Sequence, residues 1–164
     1  MLSREVQTLE KVQHPHILRL FEVVETLGRV HLVTEYVCGG ELYYRIVQNG
    51  VFTEQKATRI FKQLGLAIQH MVISDILRHF FLKNIKKNLF ILQHNLGFVH
   101  RDVKAENVLV ISDDHVKLAD FGFSTQIINS QHLNTFCGSP PYASPELFSD
   151  DHYQGMPVDI WGKI

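Results

Sequence analysis

Apolar positions mark the elements of this chain before any motif does. Leu2, Val6, Leu9 and Val12 recur at helical spacing and predict a helix over 3–12. His-Pro-His-Ile at 14–17 ends it, because Pro15 has no N–H to donate and restrains the residue before it. Residues 17–24 and 30–37 are two short strand candidates around a turn at Gly28, the pattern of a β-hairpin. Cys38-Gly39-Gly40 closes the second strand, and a short helix is expected over 41–48. Thr53 is placed to cap a longer helix over 54–71, with Ile60, Phe61, Leu64, Ile68 and Met71 as its buried face. Two further strands are expected at 108–111 and 115–118 around Asp113-Asp114. Residues 123–145, rich in Ser, Thr, Asn, Gly and Pro, read as a long irregular loop, and such loops in compact domains are usually functional.

Composition narrows the class. The chain has 164 residues, 45% hydrophobic and 20% charged, with a net charge of -1, which fits one globular domain. Nothing in that balance points to a nucleic-acid partner or to a membrane. No uncharged apolar run reaches the roughly 18 residues of a spanning helix, and 1–11 lacks the apolar centre of a signal peptide. The two cysteines, Cys38 and Cys137, form no CxxC pair, so a reducing, intracellular and cytoplasmic setting is expected. Ten histidines fall into no metal-ligand spacing.

The chemistry is concentrated in HRDVKAEN at 100–107 and ADFG at 119–122. Asp102, Asn107 and Asp120 offer oxygen ligands suited to a hard divalent cation. A carboxylate that binds no metal can take the proton of a substrate hydroxyl. Lys104 can neutralise charge on a transferring phosphoryl group. Together these residues suit in-line phosphoryl transfer, which depends on positioning and charge more than on covalent work by the protein.

HRDVKAEN, DFG at 120–122 and SPE at 144–146 match, in order and spacing, the signature set of protein kinases. LNTFCGSPPYASPE further resembles the activation segment of the AMP-activated-kinase-related serine/threonine kinases. The resemblance covers 2–71 and 94–161 and implies an α+β, protein-kinase-like fold that is incomplete. Residues 1–37 would be a remnant of the small lobe with the hinge, and 38–164 part of the large lobe. It implies Asp102 as catalytic base assisted by Lys104, and Asn107 and Asp120 as ligands of Mg²⁺ in Mg²⁺-ATP. Glu35 and Val37 would meet adenine through their backbones beside the gatekeeper Thr34, Glu41 would reach the ribose, and Leu109 would lie under the base. Leu9, Leu20, His100, Phe121 and Asp159 would stack to join the lobes. Thr135 would be phosphorylated by an upstream activating kinase, and Arg101 would pair with that phosphate. Protein substrates are implied as well. Glu5 would pair with a strand lysine, but neither that lysine nor a Gly-rich phosphate loop is among these residues. Little or no activity is therefore expected of the 164-residue chain itself, and a non-catalytic, kinase-like interaction module is the alternative. Ser144 departs from the alanine usual in the family.

Residues 72–93 are atypical for the family. Ile73, Ile76, Leu77, Phe80, Ile85, Leu89 and Leu92 share approximate helical spacing, with basic residues largely off that face. A surface-binding basic helix is one reading, and a plain insertion ranks above it. Without 72–93 the chain reads AIQHMHNLGFVHRD, a normal family junction. Permitted codons at both edges and at 161–164 resemble splice signals, so translated intron sequence is the expectation there.

Overall fold

The computed structural model describes residues 2–72, 97–127, 132–149 and 152–162. Helix α1 (Leu2–Lys11) leads into an antiparallel hairpin of β1 (Leu20–Thr26) and β2 (Arg29–Thr34). Gly28 turns the hairpin with φ +104°, a region that costs glycine nothing. Helix α2 (Leu42–Asn49) and helix α3 (Glu54–Val72) follow. Strand β3 (Phe98–Val99) pairs with β6 (Thr125–Gln126), and β4 (Val108–Ser112) pairs with β5 (His115–Leu118). Two short helices close the described chain, α4 (Glu146–Ser149) and α5 (Gly155–Trp161). The architecture is α+β, with helices packed against small two-stranded sheets.

Thr53 caps α3 as expected: its Oγ1 accepts the Lys56 N–H at 3.3 Å. The buried stripe of α3 is Ile60, Leu64, Ala67, Met71 and Val72. Phe61 corrects the sequence reading, since it is 51% exposed. One residue turns a helix by about 100°, which carries Phe61 off the stripe that starts at Ile60. Ile68 lies only partly buried at the edge of the core. The first half of α3 is fixed to the β4–β5 hairpin, where Gln63 Oε1 accepts the Val116 N–H at 3.0 Å and Arg59 pairs with Asp114.

The reading of 123–145 as wholly irregular also needs correction. Thr125–Gln126 is a strand and Pro140–Tyr142 a 3-10 turn. A two-residue strand is too short to leave a period in the sequence, and it exists because Phe98–Val99 lies alongside. Strand β1 begins at Leu20 and not at Ile17, because Ile17 and its neighbours pair elsewhere. Leu18 N donates to Leu118 O, and Leu118 N to His16 O, both at 2.9 Å. This parallel bridge ties the α1–β1 connection to the strand that precedes Asp120.

A second tie brings the end of the hairpin segment to β4. Glu41 bridges Leu109, and Val110 N donates to Gly40 O at 2.8 Å. A Cβ on Gly39 would sit 2.0 Å from Val110 O, so only glycine allows this approach. One continuous core of Leu9, Val12, Ile17, Leu64, Leu118 and Phe121 runs beneath both ties. The fold thereby places 100–107 and 119–122 side by side. Of the segment 72–93, only Val72 is among the described residues, and the helical face expected there lies outside them.

Candidate active site

The loop after β3 is held from below by a buried acid. Asp159 is 1% exposed, and its two carboxylate oxygens accept the backbone N–H groups of His100 at 2.7 Å and Arg101 at 2.6 Å. Burial raises the Asp159 pKa, and the nearby His100 together with these hydrogen bonds opposes the rise. The clamp holds Arg101 at φ 69°, a conformation that a non-glycine residue adopts only when its surroundings enforce it. His100 Nδ1 accepts the Asp102 N–H at 3.2 Å, so Nε2 carries the ring proton and donates to Ala119 O at 3.0 Å. The His100 ring meets Phe121 edge-on at 4.8 Å. Of the expected stack, Leu9, His100, Phe121 and Asp159 are buried and Leu20 is partly so.

Asp102 is 4% exposed, and its two oxygens differ. Oδ2 takes the Asn107 side-chain N–H at 3.0 Å and the Lys104 ammonium at 2.8 Å. Oδ1 is buried without a partner among the described residues. Burial alone would raise this carboxyl, but Lys104, Ser139 and Asn107 outweigh it and hold it below its usual range. Asp102 is therefore a carboxylate at neutral pH, with one oxygen fixed and the other able to accept a proton. Lys104 also donates to Ser139 Oγ at 2.7 Å, which fixes its ammonium between the loop and residues 132–149.

Asn107 donates a second bond to Asp102 O at 2.9 Å, which leaves its amide oxygen as the ligand atom. Ala119 N donates to Asn107 O at 2.8 Å, so the residue before Asp120 is bonded to Asn107. Asp120 is exposed with φ 58°, and its Oδ1 accepts the Gly122 N–H at 3.2 Å. An amide oxygen and a carboxylate are hard donors that suit Mg²⁺, whose remaining sites are filled by water and phosphate oxygens. No group of three or more His, Cys, Asp or Glu side chains among the described residues is placed to hold a metal by itself. Burial raises the Glu5 carboxyl, and the charge of Asp120 raises it further.

The hinge residues divide. Glu41 and Leu109 are brought together by their backbone bridge. The Glu35 side chain is committed elsewhere, since it accepts the Arg19 N–H at 2.7 Å and the Lys117 ammonium at 2.7 Å. Its backbone N–H donates to Arg19 O at 3.0 Å, so its carbonyl is the group left to meet a ligand. Val37 is half-buried and follows it. A cavity of about 410 Å³ opens behind this clamp, lined by Leu9, Val12, Ile17, Leu20, Glu35 and Lys117, and no residue of 100–107 lines it.

Thr135 is exposed, and no hydrogen bond joins its side chain to Arg101 among the described residues. Arg101 Nε donates to Phe123 O at 2.8 Å and Nη1 to the Tyr153 hydroxyl at 3.3 Å. Three contributors escaped the sequence reading: Ser139, Tyr153 and Gly138. A Cβ on Gly138 would stand 2.5 Å from Arg101 O, so its place in CGSP was the one available signal. Ser139 and Tyr153 act across long sequence separations that no spacing encodes.

Comparison with known proteins agrees with this geometry. The protein kinase domain family matches residues 1–93 and 71–163, two pieces that overlap over 71–93, the atypical segment and the residue before it. The Danio rerio "Serine/threonine-protein kinase SIK3 homolog" is 43% identical over 160 residues, which is 98% of this chain and 12% of that protein. The Caenorhabditis briggsae "Serine/threonine-protein kinase kin-29" is 38% identical over 160 residues, 98% of this chain and 17% of that protein. The chain thus spans less than a fifth of either relative.

Proposed function

Because the chain belongs to the protein kinase domain family, we propose that its residues serve a serine/threonine kinase, moving the γ-phosphoryl group of ATP to Ser or Thr hydroxyls of proteins. The observation that carries this reading is the asymmetry of Asp102, with Oδ2 held by Asn107 and Lys104 and Oδ1 without a partner. Asp102 acts as the base that takes the substrate hydroxyl proton at Oδ1. Lys104 orients that carboxylate and neutralises charge near the transferred group. Asn107 and Asp120 hold Mg²⁺, which when bound offsets the charge of the phosphates. The Glu35 carbonyl and the Val37 backbone meet adenine, Glu41 meets the ribose, and Leu109 packs beneath the base. Thr135 receives a phosphate from an upstream kinase, and Arg101 turns its guanidinium to that phosphate.

Both named relatives are serine/threonine kinases, which supports this substrate class. Placement in the AMP-activated-kinase-related group rests on LNTFCGSPPYASPE, and the finer likeness to the NIM1 kinase on HILRLFEVVET, AENVLV and DFGFST. An intracellular setting and the absence of a nucleic-acid partner belong to the same reading. No helix among the described residues is long and apolar enough to cross a membrane.

The 164 residues taken alone favour weak catalysis. Glu5 lies near Asp120 with its carboxyl raised by burial and by that charge, and it forms no ion pair with a lysine among the described residues. Removing one preorganised charge contact costs on the order of 10²–10³ in rate. For this polypeptide by itself a kinase-like interaction module is the second reading. Thermal unfolding with Mg²⁺-ATP separates the two, since binding to the folded state raises Tm. The kinase reading predicts a rise that Asp120→Asn removes, and no rise at saturating nucleotide contradicts it.

A further inference from the structure

Tyr153 occupies a junction that none of the roles above explains. It is 4% exposed and lies between α4 and α5. Its backbone forms an antiparallel bridge with Leu133, with N–H to O distances of 2.8 Å in both directions. Its hydroxyl donates to Thr135 O at 2.7 Å and accepts from Arg101 Nη1 at 3.3 Å. The donors therefore run one way, from guanidinium to phenol to carbonyl, and hydrogen bonds aligned in series strengthen one another. Arg101 is itself immobilised by Phe123 O, by Asp159 and by the close approach of Gly138.

We propose that Tyr153 is a positioning residue that fastens the unmodified Thr135 segment to Arg101 through its hydroxyl. The proposal rests on the kinase reading of Arg101 and Thr135 and adds the tie that acts before a phosphate is present. In this arrangement Arg101 already faces the segment that will carry the phosphate, with the phenol bridging the gap. The bridge to Leu133 uses only backbone groups, so a phenylalanine at 153 keeps it and removes the hydroxyl link alone.

Hydrogen–deuterium exchange on the native protein tests this, with Thr135 unmodified or replaced by phosphothreonine. In the unmodified protein, Tyr153→Phe should speed exchange of the 134–138 amides by roughly three- to tenfold, the worth of one hydrogen bond. The α3 amides should keep their rates. The p-aminophenylalanine variant at 153, which retains an N–H donor, should restore the slow exchange. Unchanged exchange at 134–138, equal acceleration in α3, global unfolding of the Phe variant, or failure of the amino group to restore protection would each overturn the proposal. The phosphothreonine arm judges the underlying reading separately. Phosphate should slow the 134–138 amides of the otherwise unaltered protein, and no slowing contradicts the Arg101–phosphate pairing while the Tyr153 result stands on its own.

Discussion

Asn107 donates from a single amide nitrogen to both the backbone carbonyl of Asp102, at 2.9 Å, and its Oδ2, at 3.0 Å. The pair fixes the turn of the loop and the rotation of the carboxylate together. Oδ1 is left without a partner among the described residues, so the two oxygens of the Asp102 carboxylate are not equivalent.

Lys104 supplies the other hold on Oδ2 and most of the force that keeps the carboxyl ionised. In Lys104→Met that hydrogen bond and charge are gone, and the burial that raises the pKa is opposed less. The acidic limb of the kcat/KM profile should move to higher pH, with lower activity at its maximum. A pH–rate series on the native protein checks this, and an unmoved limb would contradict the assigned role of Lys104.

Asp159 serves two buried backbone N–H groups, those of His100 and Arg101. Asp159→Ala leaves both unpaired and releases Arg101 from its positive φ, so a loss of about 2–5 kcal/mol in unfolding free energy is expected. Asp159→Asn keeps one acceptor oxygen and should lose less. Urea denaturation of the two variants measures the order directly.

Four histidines meet where α1, α3 and β5 converge. His14 stacks on His70 with ring centroids 5.1 Å apart, lies 5.4 Å from His16, and His16 meets His115 at 5.1 Å. Burial, then His70, His16 and Lys117, push His14 from 6.5 down to about 4. His16 and His70 are also lowered, chiefly by burial. The rings of His14, His16 and His70 fold neutral, so the unfolded chain binds more protons across that interval. Their contribution to stability is complete above pH 6.5 and is lost as pH falls toward about 4. Unfolding free energy measured over this range should decline with acid, and His14→Gln should flatten the slope.

How much of this was legible in the sequence follows from the range of each signal. Helices α1 and α3 were readable because their buried faces repeat within one element. Asp102, Asn107 and Asp120 were readable because motif spacing is local even when the chemistry is not. Phe61 and Ala67 exchanged places because a stripe is set by what packs against it, and side-chain size alone favours the larger residue. Strand β6, Ser139 and Tyr153 exist through partners 26 to 35 positions or 18 to 52 positions away, a relation no local pattern carries. The commitment of Glu35 to Arg19 and Lys117 was hidden for the same reason.

The central claim is that Asp102 takes the proton during phosphoryl transfer, and Asp102→Asn tests it most directly. The substitution keeps the oxygen that Asn107 and Lys104 can hold and removes the base. Transfer of radiolabelled γ-phosphate from Mg²⁺-ATP to a protein substrate should be measured on the native protein phosphorylated at Thr135. The account predicts transfer by the unaltered protein, weak for the 164 residues alone, and a fall of roughly 10²–10⁴-fold in the variant. Transfer that survives Asp102→Asn undiminished would contradict it.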